Sequence, residues 1–80
     1  MTRVEYKGKY LIAQANEIQS GLGWSSSLMI EEYQGSGLIA AEINLPRGVY
    51  LTRKDALNAA LLHGKVGIDR GFVITPLARA

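Results

Sequence analysis

The chain has no cysteine, one histidine, two prolines, one tryptophan and one phenylalanine among its 80 residues. Without cysteine there are no disulfides and no thiolate metal ligands. One histidine and two aspartates are thin material for a metal site. No acid, base and nucleophile can be assembled into a set, so an enzyme is not expected and no cofactor is implied. No apolar run exceeds about five residues, against the roughly 20 that a membrane helix requires. The charges of MTRVEYKGKY are not followed by an apolar run, so no targeting segment is expected and the expected location is the cytoplasm. A net charge of +2 does not by itself imply a polyanionic partner.

What is present is the composition of a globular domain, 48% hydrophobic and 20% charged. A chain this short sits near the size at which one apolar core holds a fold unaided. Its stability therefore comes from burial alone, or from burial shared with a second copy. One domain over 1–80 is expected, with 1–5 and 78–80 loosely ordered.

Hydrophobic periodicity places the elements. From Tyr6 to about Ala15 the residues alternate, Tyr10 and Ile12 on one side and Leu11, Ala13 and Ala15 on the other, which is a strand. Asn16 to Gly23 is polar and glycine-bearing, a hairpin connection. Trp24 to Tyr33 is the second strand, with Trp24, Ser26, Leu28 and Ile30 on one face. Gln34 to Gly37 is a turn, and Leu38 to Leu45 the third strand, with Ile39, Ala41, Ile43 and Leu45 together. Pro46-Arg47-Gly48 breaks the sheet, and Val49 to Leu51 offers a short fourth strand.

The stretch from Leu51 to Asp69 reads as a capped helix. The Thr52 hydroxyl can accept from the amide of Asp55, with Asp55 reaching back as in a capping box and Leu51 packing on Ala56 as a staple. Ala56, Leu57, Ala60, Leu61, Gly64 and Ile68 recur at spacings of three and four and form one stripe. The small residues let the helix approach a surface closely, while the larger ones fill the gaps beside it. The helix is expected to end near Ile68, with Gly71 as terminator. Phe72 to Leu77 is apolar and offers an extra edge strand.

The expected fold is α+β: a three- to four-stranded antiparallel sheet with one helix on one face, in the order β-β-β-(β)-α, and an apolar C-terminal segment. The helix is expected on the face of Leu28, Ile30, Ile39, Ala41 and Ile43. The other face would then carry Leu11, Ala13, Ala15, Ser25, Ser27, Met29, Leu38 and Ala40, with Glu31 and Glu42 near its ends, which is apolar or small with acid and almost no base. That surface is too apolar to stand open to water, so the C-terminal segment or a second subunit should cover it. The candidate association surface is Leu11, Ala13, Met29, Leu38, Ala40, Phe72 and Ile74.

Several residue patterns resemble a known group. Tyr6 and Gly8, then Gly23-Trp24, then Thr52, Ala56, Ala60, Gly64, Ile68 and Asp69 follow the order Y-x-G, G-W, T-x-x-x-A-x-x-x-A-x-x-x-G-x-x-x-I-D, which is similar to a family of small bacterial proteins. The resemblance covers Tyr6 to Asp69 and departs from the pattern at Val66-Gly67, where a bulkier or charged pair is usual. It implies a bacterial source and supports the fold, and the family carries no established activity to transfer. The order of strands and helix, with a threonine cap before an alanine-rich helix, also resembles antitoxin domains of the HicB type. Pro46-Arg47-Gly48 matches their proline-glycine element only loosely. The DNA-binding domains at the start of phage integrases share the order too. They read the major groove with an open sheet face rich in basic and hydrogen-bonding side chains, which the expected open face lacks.

His63 falls off the main helical stripe, where a surface position accounts for it. Ser25-Ser26-Ser27 is a polar strand start without a nucleophile elbow. Glu31 and Glu32 point to opposite faces, so they do not form a carboxylate pair. Trp24, in phase with Leu28 and Ile30, reads as a core anchor rather than a stacking platform. Arg47, Arg53 and Lys54 gather near the helix start, where the dipole is positive, and form the candidate anion or nucleic-acid contact; solvated charge is the simpler account. The expected function is a non-enzymatic interaction module that self-associates as a homo-oligomer. A nucleic-acid-binding or HicB-antitoxin-like regulator is the alternative, and neither a membrane nor an identified small-molecule ligand is implied.

Overall fold

The structure, a computed structural model, describes residues 1–71, without the side chain of Ser20. Its elements are β1 (Thr2–Tyr6), β2 (Lys9–Glu17), a 3₁₀ turn (Gln19–Gly21), β3 (Trp24–Gln34), β4 (Gly37–Ile43) and α1 (Arg53–Asp69). The four strands form one antiparallel sheet in the order β1-β2-β3-β4, with α1 packed across β2 and β3. This is the expected α+β architecture with its strands drawn from different places.

The fourth strand lies at the N-terminus. Residues expected to be loose form β1, folded back on β2 by the two-residue turn Lys7-Gly8. Both residues have positive φ, 51° and 82°, the type I′ geometry whose twist matches a hairpin. Lysine is an unusual first residue for such a turn, and its side chain supplies the reason below. The segment Val49 to Leu51 adds no strand. Tyr50 alone pairs with Trp24, through two backbone hydrogen bonds of 2.8 Å, which anchors the chain as it passes from β4 to the helix.

The helix begins and ends nearly where expected. Thr52 Oγ1 accepts from the amide of Asp55 at 3.0 Å, and Asp55 places its charge in the positive first turn. The staple is absent, because Leu51 is 90% exposed. At the far end Gly71, at φ 86°, donates its amide to the Ile68 carbonyl, one of the bonds of a Schellman ending. Residues 72–80, which include Phe72 and Ile74 and the suggested extra strand, lie outside the described residues.

The stripe of α1 buries Ala56, Leu57, Ala60, Gly64 and Ile68 against Leu11, Ala13, Leu28 and Ile30. Full burial of each large aliphatic side chain stabilises the fold by roughly 1.5–3 kcal/mol. Gly64 is the point of closest approach. A Cβ there would stand 2.9 Å from Cδ2 of both Leu11 and Leu28, so the two leucines occupy the space that any larger residue needs.

The inner face therefore differs from expectation. Leu11 pairs with Ile30 and Ala13 with Leu28, and directly paired residues share a face. Leu11 and Ala13 are fully buried beneath the helix, so they are withdrawn from the association surface. The cause is the register of the β2–β3 hairpin. Glu17 pairs with Trp24, which sets odd positions of β2 opposite even positions of β3, and a change of one in that loop exchanges the faces.

Candidate functional site

The face of the sheet away from the helix is built from alternate residues of all four strands. Its central row runs Arg3, Ile12, Met29, Glu42 across β1 to β4. The next row runs Glu5, Tyr10, Glu31, Ala40. Gln14 lies beside Ser27 on the far side of the central row, and Tyr33 beside Leu38 near the β3–β4 turn. The face is amphipathic rather than greasy: an apolar centre ringed by carboxylates, amides, hydroxyls and one guanidinium.

An open depression of about 570 Å³ lies over the centre, lined by Arg3, Ile12, Met29, Glu31 and Glu42 among others. Met29 is 38% and Leu38 49% exposed, and Ala40 is exposed beside them. Those three members of the expected association surface are placed on this face. Arg3 is held above the Tyr10 ring, its guanidinium 4.0 Å from the centroid, and approaches Glu31 at 3.5 Å. Tyr10 in turn meets the Tyr33 ring edge-on at 6.2 Å. Cation and aromatic are mutually favourable in this arrangement, and each side chain fixes the next.

Arg3, Tyr10, Ile12 and Gln14 stand on this face although the sequence pattern did not place them there, whereas Glu31 and Glu42 lie on it as expected. The alternation of Tyr10 and Ile12 was visible. Its phase relative to β3 was not, and little in the sequence of residues 1–9 announces β1.

A second cluster joins the first hairpin to the helix end. Asp69 accepts from the Tyr6 hydroxyl at 2.9 and 3.0 Å and from the Lys7 ammonium. The Lys7 and Tyr6 hydrogen bonds hold the Asp69 carboxyl below the usual aspartate range. The same bonds push the Tyr6 phenol and the Lys7 ammonium above their ordinary values. A carboxylate at a helix C-terminus opposes the dipole, and α1 carries no basic residue in its last turn. Lys7, reaching over from the turn, compensates for both. The cluster ties Tyr6 and Lys7 of the first hairpin to Asp69 at the helix end.

The other candidates are dispersed. Arg47, Arg53 and Lys54 are exposed, the first on the loop after β4 and the others in the first turn of α1. Among the described residues none of the three makes an ion pair. His63 is exposed on the helix and does not line the depression. Trp24 is half-buried on the helix side of the sheet. Among the described residues no three histidines, aspartates or glutamates cluster to hold a metal, and no helix is long and apolar enough to cross a membrane. Comparison with known protein families, curated proteins and solved structures finds no match to this chain.

Proposed function

We propose that this protein is a non-enzymatic interaction module that self-associates through the open face of its sheet. One observation carries the reading: among the described residues nothing covers an apolar centre, Ile12 beside Met29, on the side opposite the helix, within a ring of polar groups. That arrangement, an apolar patch with a polar rim, is the anatomy of an association surface. A domain near the lower size limit for a single core would gain stability from burial shared with a second copy.

Sedimentation equilibrium of the intact chain and of Met29→Lys tests it. The expected result is a dimer that Met29→Lys converts to monomer while the circular dichroism stays native. A wild-type chain that remains monomeric at millimolar concentration, or a Met29→Lys chain that associates unchanged, overturns it. The alternative, a nucleic-acid-binding or antitoxin-like regulator, would rest on Arg47, Arg53 and Lys54. The open face does not help that reading, since among the described residues it sets Glu5, Glu31 and Glu42 against Arg3. A salt-dependent mobility shift with mixed DNA or RNA would be its signature.

A further inference from the structure

We infer that the partner on the open face is a second copy seated about a two-fold axis that runs parallel to the strands between Ile12 and Met29, so that Arg3 of each copy meets Glu42 of the other. This rests on the self-association proposed above and adds its geometry.

The argument comes from the order of charges across the sheet. The central row has a cation at one end, an anion at the other and two apolar side chains between them. With strands about 4.8 Å apart, its ends are separated by roughly 14 Å. Rotation about an axis along the strands lays face on face, exchanges the two ends of every row and keeps each row at its own height. Ile12 then lies on Met29, and Arg3 on Glu42, twice over. In the next row the same operation brings the Tyr10 hydroxyl over the Glu31 carboxylate, a donor onto an acceptor, and sets Glu5 over Ala40, so that no two acids are opposed. Gln14 and Ser27 also meet as hydrogen-bonding partners. The other two-fold, with its axis across the strands, puts Arg3 on Arg3 and Glu42 on Glu42. Juxtaposed like charges of that kind select against an arrangement.

The charged groups are in a state to be used this way. The Arg3 side chain is 50% exposed and touches Glu31 only at 3.5 Å, which leaves most of its five N–H donors available. Glu42 is exposed and makes no ion pair among the described residues. Sheets packed face to face lie about 10 Å apart and within about 30° of alignment. The central row, which crosses the axis at the middle of the contact, therefore keeps its pairing best, while the sheet twist separates the outer corners.

The test is a charge exchange read by sedimentation equilibrium. Arg3→Glu alone and Glu42→Arg alone should each weaken the dimer at least tenfold, because each sets like charges together at both symmetric contacts. An equimolar mixture of the two variants should recover the dimer, since both contacts then join opposite charges. The double variant Arg3→Glu/Glu42→Arg should dimerise by itself. Recovery also shows that the single variants fold. If the singles dimerise like the wild type, or the mixture stays monomeric while Met29→Lys still dissolves the wild-type dimer, this two-fold is wrong and the association surface stands. If the wild type never dimerises, both fail together.

Discussion

Gly64 shows how one residue sets the distance between two layers. Its missing side chain is occupied by the Cδ2 atoms of Leu11 and Leu28, so Gly64→Leu should overpack the core and cost about 1–3 kcal/mol or more. Urea unfolding measures this, and an unchanged midpoint would mean that the helix sits further from the sheet than described. Asp69 makes a prediction of a different kind. A carboxyl held below its ordinary value contributes stability above that value and loses it as pH falls through the lowered one. Tyr6 and Lys7, held above theirs, contribute below their ordinary values and lose it as pH rises through the raised ones. Hydrogen exchange of β1 should accordingly show weaker protection at both ends of the pH range. Asp69→Asn should remove the acid step and lower protection at neutral pH, and identical profiles for both chains would dismiss the cluster as a tie. The helical spacing of Gly64 was legible in sequence because periods of three and four mark one stripe. The bond between Tyr6 and Asp69 was not, because the two residues are 63 positions apart and nothing local reports which ends of the fold meet.

At the scale of elements, local chemistry and long-range register separate cleanly. The helix was readable because its signals are short-range: a threonine cap, an acid in the first turn, a small-residue stripe and a glycine stop. Thr52→Ala should therefore cost about 1 kcal/mol, typical of losing a capping hydroxyl, with the effect visible in thermal melts. No loss would mean that water serves the Asp55 amide equally well. The strands were harder. β1 is hard to see in the sequence because Lys7-Gly8 carries no asparagine or aspartate to announce a type I′ turn, although Arg3, Val4 and Glu5 already alternate between polar and apolar. The relative phase of β2 and β3 depends on whether the loop between their paired ends holds an odd or an even number of residues. Composition cannot count that, since the boundary of a polar glycine-bearing loop is uncertain by more than one position. The actual phase replaces Leu11 and Ala13 by Tyr10 and Ile12, and β1 adds Arg3, so a face expected to be small and apolar with acids near its ends also carries a base and a phenol.

For the molecule as a whole, that exchange changes what kind of association is sensible. A uniformly greasy face would stick to anything apolar, whereas a face with Arg3 and Glu42 at opposite ends of an apolar row discriminates by sign and orientation. If a second copy covers it, folding and association share free energy, and the melting temperature must depend on protein concentration. The wild-type chain should melt progressively higher as its concentration rises from micromolar to millimolar. Met29→Lys should melt at one temperature throughout, close to that of the dilute wild type, because Met29 is partly exposed in the single chain and surface substitutions usually move stability by only about 0.5 kcal/mol. Differential scanning calorimetry across that concentration range separates the two roles of the residue. A Met29→Lys melt depressed equally at every concentration would make Met29 a support of the monomer's own sheet, and the open face would lose its claim as the place where copies meet.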